Sequence, residues 1–395
     1  MLKDKKISFL LGSGFSVPAG YPTAKELNEK LTRIRADEIC IHTSRHAWFL
    51  NGQTDPNAGW MGVEERAFVH EFLCFYTSQV LMPDENFHYE TFYDYYISIY
   101  RAGRYPKNLL AFFEEFKSRY HVSKENHDLL MDFNDTFSQL IAHLLSKDLQ
   151  RIHNCKPYDP KYNNFYMLLE ELAGTFFLHI HTLNHDLYLE YLSHSDCFQD
   201  RFDDGFEESG SPLYAKKYEK YAIYMVRLSR FIDKYSAKIC LYKLHGSIDH
   251  YWCQYDNRSD LVKVPWGINP DEIHIEVDKD GKLVYIHHSS HVVPDFLSGT
   301  THKVSKYDSG AYYPVVLKHF KKNLQDSKIL IVIGYSFNDS KINQYLEQHF
   351  LCDRQKIMFV VDVIQPQTHF IENTNVLFVA NGVSGMDINY ILDKI

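Results

Sequence analysis

The sequence has no two cysteines spaced C-x-x-C. Its seven cysteines, at 40, 74, 155, 197, 240, 253 and 352, are odd in number and irregularly placed. Neither a zinc ribbon nor a disulfide framework is therefore indicated, which fits a reducing cytoplasm. No apolar run approaches the ~18 residues a membrane span needs. The start, "MLKDKKISFLLGSG", sets basic residues before an apolar run of about five residues without a cleavage site, and it reads as a first strand rather than a signal peptide. Positive charge is also short: 42 Lys and Arg stand against 51 Asp and Glu, a net charge of −9. A basic face for direct nucleic-acid binding is not expected. The short cluster "KHFKK" at 318–322 reads as a solvated helix face. Internal repeats and low-complexity tracts are absent.

What is present is ordinary globular composition, 45% hydrophobic and 24% charged over 395 residues. That length suits one large core domain plus an insertion or small second domain. Aromatics make up 15%, enough large apolar surface for a substantial core and for subunit interfaces.

Short runs rich in Val, Ile and Phe ("KISFLL", "TFFLHIHT", "KICLYK", "KILIVI", "KIMFVV", "NVLFVA") alternate with helical patterns. Continuous apolar strands between helices predict a parallel sheet covered on both faces. The expected class is α/β, a Rossmann-like parallel sheet with helices on both faces. Between Arg35 and Tyr162 the pattern is helical without clear strand alternation, which predicts a large helical insertion. The domains are then 1–34 with 163–395, and an insertion subdomain over 35–162. Thr23 three residues before Glu26 predicts a capping box. Residues 197–220 are polar and read as a loop or lid. "DEIHIEVDKDGKLVYIHH" predicts a β-hairpin turning at Asp-Gly. The histidines 287, 288 and 291 have metal-ligand chemistry but lack a fourth ligand, so no metal is expected there.

The stretch "ISFLLGSGFSVPAGYPTAKEL" breaks a strand with Gly12, Gly14 and Gly20. It matches neither G-x-G-x-x-G nor a Walker loop. Glycines after a first strand let the backbone approach a phosphate, and a plain tight turn explains them as well. Three further strand ends carry polar or glycine-rich tips: "TLNHD" with Asn184 and Asp186, "KLHGS" with His245, and "IGYSFND" at 333–339. In an open α/β sheet such tips line one crevice. Taken singly, Asn184 also reads as a turn residue and Asp186 as a helix cap.

The combination G-S-G-F-S-x-x-A-G-Y-P, T-x-N-x-D, L-H-G-S and I-G-Y-S-F, in that order from residue 7 to about 340, resembles the sirtuin-like NAD-binding family. More narrowly it is similar to the sirtuin-like domains of bacterial anti-phage defence. The resemblance implies that Gly12, Ser13, Gly14, Phe15 and Ser16 form the loop against the NAD phosphates and ribose. Gly334 and Ser336 form the late turn near the phosphates. It implies Asn184, His245 and Asp186 as the catalytic set. Asp362, at the end of "FVVD", is assigned to the adenosine ribose hydroxyls by strand position more than by motif. Deacylases of the family carry two C-x-x-C pairs for a structural zinc, and this chain has neither those nor the Arg that follows their first loop. The resemblance therefore implies an NAD hydrolase that depletes NAD in defence, with NAD as substrate and no metal. It further implies a HerA-type ATPase encoded alongside, a homo-oligomer and a bacterial cytoplasmic location. The alternative is a module that binds NAD or ADP-ribose and regulates a partner ATPase or nuclease without turnover.

Overall fold

The computed structural model describes residues 5–41, 47–50, 62–146, 159–192, 198, 201–219, 222–265, 268, 273–287, 293–296 and 311–395. Its strands are β1 (Lys6–Leu11), β2 (Ile39–Ile41), β3 (Ala47–Phe49), β4 (Phe177–Thr182), β5 (Phe202–Asp203), β6 (Gly205–Glu207), β7 (Leu213–Glu219), β8 (Ala222–Arg227) and β9 (Arg230–Lys234). There follow β10 (Ile239–Lys243), β11 (His250–Tyr255), β12 (Arg258–Lys263), β13 (Ile273–Lys279), β14 (Lys282–His287), β15 (Ile329–Ile333), β16 (Ile357–Val361) and β17 (Val376–Val379). The helices are α1 (Ser13–Ser16), α2 (Ala24–Thr32), α3 (Val63–Gln79), α4 (Tyr89–Ala102), α5 (Lys107–Tyr120) and α6 (Asn126–Leu145). The rest are α7 (Asn163–Thr175), α8 (Tyr188–Leu192), α9 (Tyr313–Asp326), α10 (Ser340–Leu346), α11 (Gly382–Gly385) and α12 (Ile388–Leu392).

The continuous apolar runs form one parallel seven-stranded sheet, in the order β17-β16-β15-β1-β4-β10-β5. Their residues alternate between two covered faces. Ile7, Phe9 and Leu11 of β1 share a core with Phe165, Leu168 and Leu172 of α7. Leu10 of β1 and Leu330 and Val332 of β15 share the other core with Val316, Phe320 and Leu324 of α9. Burying each such side chain is worth about 1.5–3 kcal/mol, which explains why these strands need no polar face. The expected α/β class, a Rossmann-like sheet flanked by helices, is what the chain adopts. From β1 the chain passes to β4 and β10 on one side, and later to β15 and β16 on the other. The strand order therefore reverses beside β1, where doubly wound sheets open a crevice.

Between β1 and β4 stand α3 to α6, packed through rings such as Phe72 edge-on to Phe133 at 5.0 Å and Phe92 to Phe137 at 5.4 Å. This core takes in Leu27 and Leu31 of α2 and Ile34. It also reaches Leu187, Ile248 and Phe296 beside the ends of β4 and β10. The insertion is thus seated on the edge of the sheet where strands end. It also holds a strand pair absent from the sequence reading, β2 with β3, whose Ile39, Ile41, Ala47 and Phe49 are buried in it.

The capping box at Thr23 and Glu26 is formed as expected. The hairpin β13–β14 is also present, with Asp280 and Gly281 both left-handed, the geometry of a type I′ turn. The expectation of a loop or lid over 197–220 needs correction. Its described part carries β5, β6 and β7, and β7 pairs along its length with β8. Leu213 and Ala215 turn inward while Lys216 and Lys217 alternate to both sides, so a strand buried at one end reads as polar. His287 lies across from His274 in the β13–β14 register, while His288 and His291 fall outside the described residues.

Candidate functional site

The glycines of the first loop meet another loop. Gly12 N–H donates to the Ile333 carbonyl (3.0 Å) and Gly14 N–H to that of Gly334 (2.9 Å). A Cβ on Gly12 would stand 2.6 Å from the Gly334 oxygen, and one on Gly334, whose φ is +62°, would stand 2.3 Å from the Phe15 nitrogen. The ends of β1 and β15 interlock backbone to backbone, and only glycine permits that distance. Phe15 points away from the crevice, into a cluster with Tyr162, Phe165 and Tyr188.

At the end of β4, Asn184 ties this loop down. Its Nδ2 donates to the Gly12 carbonyl and to Ser16 Oγ, both at 2.9 Å, while its backbone N–H is held by Thr182 Oγ1 at 3.1 Å. Both amide hydrogens are spent, so Oδ1 is the atom left for a ligand. Asp186 accepts from Tyr188 N–H at 3.0 Å, the cap geometry that opens α8. Its carbonyl receives Lys243 Nζ from the end of β10. Lys243 also lies 3.3 Å from Glu190, and both are buried. Burial pushes the Glu190 carboxyl up, against the pull of Lys243 and Lys263. This ion pair locks the Asn184–Asp186 loop against β10, and breaking such a buried pair costs about 3–5 kcal/mol.

His245 follows β10 directly. Gly246 after it has φ +79°, and a Cβ there would stand 2.4 Å from the Asp295 carbonyl. That close packing turns the chain so that His245 faces the crevice. Its Nε2 lies 3.3 Å from Asp339 Oδ2, both side chains being mostly buried. Asp339 caps α10, its Oδ1 accepting from the Lys341 and Ile342 N–H groups at 3.0 Å each. The loop leading to it carries Phe337 at φ +57°, a left-handed conformation that costs a bulky residue about 1–3 kcal/mol.

These loops open on one cavity of about 280 Å³. Gly12, Ser13, Ser16, Asn184, Asp186, His245 and Ser336 line it together. Gly14 and Gly334 stand behind it as the interlocked backbone, and Phe15 lies in the core. Asp362 is at the end of β16 outside the cavity wall, its Oδ1 accepting from Val363 N–H at 2.7 Å. Residues the sequence reading did not single out complete the wall: Tyr21, His185 and Asp339 from the sheet's loops, and His88, Tyr89 and Glu90 from the insertion. Asp339 stands within "IGYSFND", where Asn-Asp-Ser before a helix signals a cap and nothing more. The insertion residues carry no local signal.

No family model matches the sequence, and none of the curated proteins matches it significantly. Among solved structures the chain is similar to a Sir2 homologue in complex with NAD, at 12% identity over 99% of this chain and 87% of that one, with a TM-score of 0.37. It is similar to a Sir2 homologue variant in complex with ADP-ribose, at 14% identity over 99% and 90%, TM-score 0.37. A Sir2 protein bound to a propionylated peptide matches at 10% identity over 98% and 90%, TM-score 0.34. Likenesses this weak add nothing to the α/β class, which rests on the strand order of the chain itself.

Proposed function

We propose that the cavity binds NAD and that the chain cleaves the nicotinamide–ribose bond, releasing nicotinamide and ADP-ribose. The observation that carries this reading is the convergence of four parallel strand ends, those of β1, β4, β10 and β15, on one cavity that holds Asn184 and His245 together. Ligands of doubly wound sheets sit at this edge. Ser13, Ser16 and Ser336 offer hydroxyls for the phosphates and ribose. In the reaction the bond from C1′ to the nicotinamide nitrogen breaks, its electron pair leaving with nicotinamide. C1′ passes through an oxocarbenium-like state and gains a bond to the oxygen of water. Asn184 Oδ1 orients that water or a ribose hydroxyl. His245 takes the water proton. Asp186 sets negative charge beside the developing cation.

An acylated lysine fits this chain poorly. The residues after Gly246 form β11 and β12 instead of a cysteine-held lobe, and His88, Tyr89 and Glu90 of the insertion wall the cavity. A role in anti-phage NAD depletion, with a HerA-type ATPase as partner and a homo-oligomer in the cytoplasm, belongs to the proposal through the sequence resemblance alone.

The test is nicotinamide release from NAD, followed by chromatography, with and without the co-encoded ATPase. His245→Ala is expected to lower the rate at least about 100-fold, as loss of a general base does, and Asn184→Ala to lower it as well. Calorimetry should show NAD still bound by the His245→Ala protein. One observation favours the second reading, a binding module: Asn184 and Asp186 both serve the loops that hold them. NAD binding without release under either condition would establish that reading.

A further inference from the structure

Packing alone does not account for a lysine at position 243. Lys243 ends β10, an interior strand of the seven-stranded sheet whose other residues, Ile239, Cys240, Leu241 and Tyr242, are all buried. Its own side chain is 3% exposed, so its ammonium has left water and needs partners. Two stand against it. Nζ donates to the Asp186 carbonyl, and it lies 3.3 Å from Glu190 Oε1 on α8. Glu190 also faces Lys263 of β12 at 4.0 Å, and Lys263 in turn pairs with Asp204. Apolar residues of similar volume hold a fold as well as a buried ion pair does, and often better. What an ammonium adds is a directed grip on one oxygen.

That oxygen sits where the sheet stops setting the register. β4 and β10 run side by side as far as Thr182 and Lys243, and the Leu244 N–H donates to the Thr182 carbonyl at 2.9 Å. Beyond this point the two chains part. One becomes the loop of Asn184 and Asp186, the other the turn that carries His245. Asn184 is tied toward β1 by its bonds to the Gly12 carbonyl and Ser16 Oγ. Toward β10 the same loop is met by the Ile248 N–H, which donates to the His185 carbonyl at 3.1 Å, and by Lys243 at the next carbonyl along. The Tyr312 hydroxyl donates to the Lys243 carbonyl at 3.1 Å and steadies the strand end from the α9 side.

We propose that Lys243 is a positioning residue of the cavity: its ammonium, steadied by Glu190, holds the Asp186 carbonyl and so keeps the loop of Asn184 and Asp186 in register with His245. The inference rests on the reading of Asn184 and His245 as the groups that act together in the proposed hydrolysis. Their relative placement matters because a shift of about 1 Å in a reacting group can cost on the order of 100-fold in rate.

The test separates position from stability. Lys243→Met alone leaves Glu190 buried without its closer ammonium and should lower the urea midpoint. Lys243→Met with Glu190→Leu removes both charges and keeps the volume, so its midpoint should equal or exceed that of wild type. In this double variant kcat for nicotinamide release should nevertheless fall at least about tenfold, with the Kd for NAD by calorimetry within about threefold. The Asn184 side-chain amide resonances, assigned in the ¹⁵N-labelled full chain against Asn184→Ala, should shift in the double variant. Unchanged Asn184 resonances, an unchanged kcat, or a double variant less stable than wild type each overturns the inference. Should the wild-type chain bind NAD without releasing nicotinamide, the resonances and the midpoint decide the role of Lys243, and the missing release counts against the hydrolase alone.

Discussion

Gly334 shows at the scale of one residue what the glycines are for. Its left-handed φ and the Phe15 nitrogen 2.3 Å from any Cβ leave no place for a methyl group. Gly334→Ala is therefore expected to cost about 3 kcal/mol or more, from left-handed strain plus overlap with backbone that cannot yield. Gly174, near the end of α7, has nothing within 4 Å of a Cβ. Gly174→Ala should instead stabilise by about 0.5–1 kcal/mol. Urea midpoints of the two variants decide this, and a Gly334→Ala protein as stable as wild type would refute the interlock. The sequence makes plain that something approaches the backbone at Gly12 and Gly14. It does not say that the something is the end of β15, since the two segments meet only through the sheet. Asp339 is hidden for a related reason. Its capping oxygen has local partners that a sequence reveals, and its other oxygen faces a residue on β10's loop.

At the scale of the element, β4 carries the titration that should dominate acid stability. Burial drives His181 down to about 3 and His179 to about 4, and it holds His250 at the start of β11 well below its ordinary value. His181 is satisfied as a neutral ring: Nδ1 donates to the Phe9 carbonyl at 2.9 Å and Nε2 accepts from Asn323 at 3.2 Å. An unfolded chain protonates these rings near pH 6.5, and the folded chain does not until far lower. Below pH 6.5 the unfolded state thus binds more protons, and stability falls as pH falls. Each histidine contributes a slope approaching about 1.4 kcal/mol per pH unit, down to its folded value. Above pH 6.5 their contribution is fully present and constant. The urea midpoint should therefore drop steadily from pH 6.5 to 5, before carboxylates join, and His179→Gln should flatten the slope by about one proton. A midpoint level across that window would show that the rings charge without unfolding the sheet. The strands themselves were legible where both faces are covered, because β1, β10, β15 and β16 then read as largely apolar runs, and β4 as one interrupted only by His179 and His181. The pair β2–β3 and strand β7 were not. Three-residue strands leave no period to detect, and in β7 Lys216 and Lys217 stand side by side and break the alternation after Leu213 and Ala215.

For the whole molecule, the question is how the helical insertion comes to wall a cavity that the sheet builds. Its helices were legible from their periodicity and its aromatic core from composition, but its seat was not, because contacts between distant segments set it. One contact stands at the join. Helix α4 has no side-chain cap of its own, and Asn28 of α2 supplies one, its Oδ1 accepting from the Tyr89 N–H at 2.9 Å. Tyr89 and Glu90 then enter the cavity wall together with residues of the strand ends. Asn28→Ala removes that cap from across the join and should cost about 1 kcal/mol of stability. If the insertion forms part of the NAD site, the loss should also appear as NAD binding about three- to tenfold weaker by calorimetry, since the wall is no longer held before the ligand arrives. A protein that loses the stability but keeps full affinity for NAD would mark the insertion as a packed neighbour of the site. A loss of both would make it the part of the molecule that shapes what the strand ends can hold.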